Sequence, residues 1–218
     1  MKNALPLIRP AALLAAAMVA SMVTIFFVTG VGQDGLQFVQ PPADYLQKLL
    51  ANPGALRAAV GFDNFFIVLY ELVFLATAMV MFDRGARRSL VLLSAILLGL
   101  LGILDWLENF HFLVMLANAE QGVGPTATEV SLQVWESLLK FHLGSFGIVL
   151  LSFVLPQNTG PEKALVFLSR YVQVAIGILI YVTPRAVAVP LVFARFTYFL
   201  AAFLLVAWIF SPPRNAAG

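Results

Sequence analysis

Long apolar runs separated by short polar stretches recur along the chain and predict six helices, over about 10–28, 61–82, 89–117, 132–155, 164–182 and 187–210. Each run is near the roughly 20 apolar residues that cross about 30 Å of hydrocarbon. A helix satisfies its own backbone hydrogen bonds in lipid, so runs this long and continuous read as helices, not barrel strands. The fold class is therefore all-α, an integral membrane bundle of six transmembrane helices. The start, MKNALPLIRPAALLAAAMVASMVTIFFVTG, has the basic flank and Ala-rich run of a signal peptide. Its apolar stretch continues through Phe26 and Phe27, past any small-residue cleavage site, and reads as a retained first helix.

The longest interruption, 30–60, carries its own pattern. Pro41-Pro42, apolar Tyr45, Leu49 and Leu50, and the Asn52-Pro53-Gly54 break predict a short amphipathic helix and then a turn into another. Two readings are open for it: a helix lying at the membrane interface, or a lid over a cavity.

Lys and Arg collect on the cytoplasmic side of membrane proteins. Lys2 and Arg9 precede the first helix, Arg84, Arg87 and Arg88 fill the second turn, Lys163 the fourth, and Arg214 follows the last helix. On the other side ANAEQGVGPTATEV has neither Lys nor Arg, and Lys48, Arg57 and Arg185 are the basic residues found elsewhere there. Both termini are thus expected in the cytoplasm and the 30–60 segment outside.

Composition agrees with the pattern. The chain is 61% hydrophobic and 11% charged, with mean hydropathy +0.93, whereas soluble domains carry roughly 25% charged residues. All 218 residues then read as one six-helix transmembrane domain with no large soluble part. The net charge of +2 comes from scattered residues with no basic stripe, which speaks against a nucleic-acid partner. With no Cys there is no thiolate nucleophile, disulfide or sulfur-ligated metal.

Polar groups inside the apolar runs are the informative exception, because ionisable residues cost about 2.5–3.5 kcal/mol each at the centre of a membrane helix. GILDWLENFHF, within the third helix, holds Asp105, Glu108, Asn109 and His111. The topology puts these in the outer half, together with Asp63, Asn64, Glu136, Lys140, His142, Tyr181 and Arg195. Glu71 falls about 12 Å below Asp63 at 1.5 Å per residue. Asp105, Glu108 and Asn109 share one helix face, and Glu136 and Lys140 stand at the spacing of an intrahelical ion pair. Arg170, near the inner end of the fifth helix, reads as a residue snorkelling to the interface.

DNFFIVLY, from Asp63 to Tyr70, and DWLEN, from Asp105 to Asn109, resemble the D-x-x-F-x-x-x-Y and D-x-x-E-N patterns on successive helices of small, uncharacterised bacterial multi-pass membrane proteins. The resemblance spans the second and third helices and implies a bacterial membrane protein, whose expected location is the cytoplasmic membrane. It supplies no activity.

Three roles are open for the cluster of Asp63, Asn64, Glu71, Asp105, Glu108, Asn109, Glu136, Lys140 and Arg195: a clamp between helices, a ligand, proton or cation site, or catalysis. Five outer-half carboxylates against Lys140 and Arg195 favour a site over a clamp, since the excess must be protonated, hydrated or matched by a cation. His111 and His142 are weak metal candidates, joined by Glu108 or Glu136, but no E-x-x-H or H-x-x-x-H spacing occurs. Nor does a nucleotide-binding glycine motif or a nucleophile elbow. Ala95, Gly99, Gly144, Gly147 and Gly177 read as points of close helix approach.

The sequence thus points to a multi-pass membrane protein with an outward-facing acidic pocket for a small polar or cationic ligand or a lipid headgroup. The alternatives are an intramembrane lipid-modifying enzyme, with Glu108 or Glu136 and His142 as acid/base groups, and an accessory subunit docking a partner in a membrane complex. The sequence leaves the identity of any cofactor open.

Overall fold

The computed structural model describes residues 4–211, so Lys2 and Arg214 lie outside the described residues. Six helices in it are long and apolar enough to cross a membrane, and no strand occurs among the described residues. They are α1 (Leu5–Thr29), α3 (Pro53–Asp83), α4 (Arg88–Glu120), α5 (Ala127–Ser152), the continuous pair α6 (Gly160–Phe167) and α7 (Gln173–Val182), and α8 (Arg185–Ile209). A π turn, Leu168–Val172, joins α6 to α7. A short α2 (Pro42–Leu50) lies between α1 and α3.

Local chemistry sets the ends. α1 stops at Gly30, whose φ of 69° is the left-handed cap that glycine adopts without strain. Thr126 with Glu129, and Thr159 with Glu162, form capping boxes that start α5 and α6. Asn52 accepts a bond from the Ala55 N–H and Pro53 follows at the first helical position. This cap starts α3 eight residues before the expected boundary near 61, so the second helix foreseen in the 30–60 stretch is the first part of α3.

The chain runs up and down, and the helices close a ring in the order α5, α4, α3, α1, α8, α7, with α7 and the π turn returning to α5. Lipid supplies no hydrophobic drive between helices, so close packing must hold them. The Ala-rich face of α1, from Ala11 to Val19, packs with Ile67, Val73 and Ala76 of α3 and Phe203 and Ala207 of α8 in one apolar cluster. A second cluster at the far end joins Leu36, Tyr45 and Leu49 to Leu56, Val60, Phe112, Leu116 and Val130. Thus α2 and the Gln33–Leu36 turn cap one end of the bundle, with buried side chains holding them down. Residues between the two clusters are polar and buried, and form the site described below.

The contact between α4 and α5 leaves little room between the helices. A Cβ at Gly147 would stand 2.9 Å from Cγ of Leu98, itself fully buried. Gly147→Ala is therefore expected to cost about 1–3 kcal/mol through overpacking. Gly99, with open space where its Cβ would be, should tolerate Ala with a gain of up to about 1 kcal/mol. Chemical denaturation in detergent checks both, and a Gly147→Ala protein as stable as the parent would mean a looser α4–α5 interface.

Candidate functional site

The i, i+3, i+4 spacing on α4 turns Asp105, Glu108 and Asn109 to one face, and all three are buried. Facing them on α5 is Lys140, 3% exposed. Its ammonium donates to both Asp105 Oδ1 and Glu108 Oε2. This corrects the expected ion pair within α5: Glu136 turns instead to His111, with Oε2 3.0 Å from Nδ1. The physical reason is that Lys140 gains two buried carboxylates from α4 by turning across the interface, whereas Glu136 offers one.

Neutral donors complete the carboxylates. Tyr70 donates its hydroxyl to Asp105 Oδ2 at 2.8 Å. Glu108 accepts from the Ser137 hydroxyl and from Gln133 Nε2, the latter at 3.2 Å. Asn109 Nδ2 donates to Asp63 Oδ2 at 2.8 Å and to Asn64 Oδ1 at 3.0 Å. These bonds tie α3, α4 and α5 through one layer.

The strap between α1 and α2 closes that layer from above. Gln33 Nε2 donates to Asn109 Oδ1 at 3.1 Å and Gln37 Nε2 to both oxygens of Glu108 at 3.4 Å. Arg195 of α8 reaches Asp34 Oδ1 and Gln37 Oε1, each at 3.4 Å, and lies 3.8 Å over the Phe141 ring. Burial pushes the Asp34 carboxyl above the ordinary carboxylate range, with Arg195 pulling the other way. The surface Asp34 keeps open, 22% of its side chain, belongs to a residue lining two cavities. Tyr45 in α2 donates to Gln133 Oε1 at 3.1 Å, and burial, followed by the charges of Glu108 and Glu136, raises its hydroxyl pKa and keeps it a donor. The strap is thus a lid held down by amide and guanidinium bonds. It covers the charged layer through Gln33, Asp34 and Gln37, which precede α2.

Under the lid is a cavity of about 100 Å³. Asp34, Asp63, Asp105, Lys140 and Arg195 line its upper part, and Phe66, Phe74, Phe196, Phe199 and Phe203 its apolar floor. Asp34 pairs with Arg195, and Asp105 with Lys140. Among the described residues, Asp63 is the lining carboxylate with neither Lys nor Arg at ion-pair distance. Counting Glu108, the layer sets four carboxylates against two cations.

The remaining residues singled out in the sequence are placed differently. Asn64, Glu108 and Asn109 stand behind the lining as hydrogen-bond partners, while Glu136 and Glu71 lie outside this network. Glu71 Oε1 is a buried atom without a hydrogen-bond partner, beside Gly102. His142 Nδ1 lies 2.7 Å from the Leu138 carbonyl on its own helix, so this nitrogen carries the proton, and its ring neighbours Tyr181. The acid–base combination of His142 with Glu108 or Glu136 is therefore not assembled. Among the described residues no three of His, Asp and Glu gather as metal ligands. Arg170 is tied to the end of α5 through Ser152, with its guanidinium 4.0 Å over Phe153.

Sequence reasoning passed over Gln33, Asp34, Gln37 and Ser137 as site residues. Ser137 had a signal: Gln133, Ser137, Lys140 and Gly144 recur at helical spacing as the buried stripe of α5. The strap residues had none, because an amide in a loop carries no periodicity.

Together the helices and the layer define a multi-pass membrane protein with a covered, charge-lined interior. No protein-family model, curated protein or solved structure matches the chain.

If Lys140 is shared between Asp105 and Glu108, Lys140→Met should cost about 3–5 kcal/mol by leaving buried carboxylates uncompensated. Combining it with Glu108→Gln should recover about 1–3 kcal/mol, while its combination with Glu136→Gln should be additive. Unfolding measurements on the two double-mutant cycles check this; coupling to Glu136 instead would reverse the assignment.

Proposed function

We propose that this chain is a ligand-binding protein of the membrane, whose capped polar pocket takes a small cationic or hydrogen-bond-donating head at Asp63 and Asp105 and an apolar body against the aromatic floor. The observation that carries this reading is that one cavity joins unbalanced carboxylates to a ring of Phe side chains. In the layer two carboxylates exceed the cations, which leaves a place for a cationic head. A bound cationic head would supply one of the missing charges, and a proton on a carboxyl the other. Preformed pockets of this kind, largely apolar with a few convergent polar groups, are the usual setting for small-molecule sites.

In this reading the capped end faces outward and both termini face the cytoplasm of a bacterial cell, with the protein in the inner membrane. Its support is the basic group Arg84, Arg87, Arg88 and Lys163 at the uncapped end of the helices. A free polar ligand and a lipid headgroup share the chemistry that Asp63 recognises. The bilayer is the constant partner, and docking to another membrane subunit is a separate outcome.

Thermal unfolding in lipid nanodiscs tests the pocket, using dodecylamine against dodecanol, which differ in the charged head. The amine is expected to stabilise the parent protein by about 2.7 kcal/mol at a hundredfold excess over its Kd. Asp63→Asn should retain the fold and lose most of this amine-specific stabilisation. Equal stabilisation by amine and alcohol, or an undiminished amine effect in Asp63→Asn, would remove the pocket from consideration.

A further inference from the structure

The cavity is small for the ligand it would hold. About 100 Å³ falls short of the roughly 150 Å³ that accommodates a benzene ring. The strap closes it above, with Leu36 and Gln37 buried. Beside it, on the outer surface of the bundle between α5 and α7, runs an apolar groove of about 380 Å³. The groove is lined by His142 and Tyr181 towards the capped end and by Val149 and Arg170 towards the other. Those ends lie about 10 Å apart along α5 at 1.5 Å per residue.

Cavity and groove share Phe141, Ser145 and Gly177 as lining. The partition is thin: two small residues, where a Cβ on Gly177 would lie 3.5 Å from Ser145 Oγ, and one aromatic ring. That ring, Phe141, lies beneath Arg195 and beside Lys140, at 3.8 and 4.8 Å. It therefore separates the charged layer from the membrane side. The π turn at Leu168–Val172, which joins α6 to α7, supplies Arg170 to the groove lining.

Resting on the pocket reading above, we infer that the ligand is a single-chain membrane amphiphile that enters sideways from the bilayer between α5 and α7, past Phe141, Ser145 and Gly177. Its head lies at Asp63 and its chain crosses the partition into the groove. The strap covers the cavity above, and the groove opens on the outer surface between α5 and α7, so the source is the lipid phase. A water-soluble polyamine has no chain to fill the groove.

Photolabelling in nanodiscs tests the route, with hexadecylamine bearing a diazirine beside the amine group and peptide mapping of adducts on the Tyr198–Phe199 segment. Gly177→Phe is expected to slow labelling about tenfold, equivalent to about 1.4 kcal/mol of added barrier. Phe141→Ala should speed it. Asp63→Asn should lower the final yield. Equal initial rates in parent, Gly177→Phe and Phe141→Ala, with the yield still dependent on Asp63, overturn the sideways route and leave the pocket intact. No adduct in the cavity of the parent protein overturns both. If Gly177→Phe does not fold, Phe141→Ala decides alone: a rate unchanged from the parent rejects the inference.

Discussion

An ammonium group inside a membrane bundle must be neutralised where it sits, and Lys140 is where this constraint falls. Its two carboxylate partners come from the helix opposite, which fixes the rotation of α4 and α5 about their axes. Those carboxylates keep free lone pairs that cannot be left dry, so Tyr70, Ser137 and Gln133 are drawn in. Even then the acidic side is in excess, and the amides of the strap are recruited from outside the bundle. The lid is best understood as a consequence of the charged layer: Gln33 and Gln37 supply donors that lipid-facing helices lack.

The layer divides the molecule. Towards the uncapped end, small residues of α1 pack against α3 and α8 with no charged group in the cluster. Towards the cap, aromatic and aliphatic side chains of the strap, α2 and three helices form a separate apolar body. A polar layer held between two apolar ones is shielded from water on both sides, which strengthens every hydrogen bond in it and raises the cost of each unmatched group. An exposed pair such as Arg57 with Glu120, at 2.6 Å on the same capped end, contributes far less. The same ion pair chemistry is thus structural ballast at the surface and a determinant of the fold inside.

Much of this was legible in the residues. The six spans followed from run length, because lipid leaves a helix as the solution for a long apolar segment. The shared face of Asp105, Glu108 and Asn109 followed from helical spacing. The partner of Lys140 did not follow. Within one helix Glu136 is its natural mate, and only tertiary packing offers two carboxylates against one. The lid residues escaped for a different reason: Gln33, Asp34 and Gln37 sit in a non-repeating loop, and their importance arises from what lies beneath them. Asp34 owes its shifted acidity to burial that no local pattern signals.

The Lys140 ammonium is shared across the α4–α5 interface under the strap. Solid-state NMR in lipid reads it most directly, by recoupling the ¹⁵Nζ of Lys140 to side-chain carboxyl ¹³C. Correlations to Asp105 Cγ and Glu108 Cδ together are expected. A correlation to Glu136 Cδ in their place would contradict the sharing, and so would an ammonium with no carboxyl neighbour.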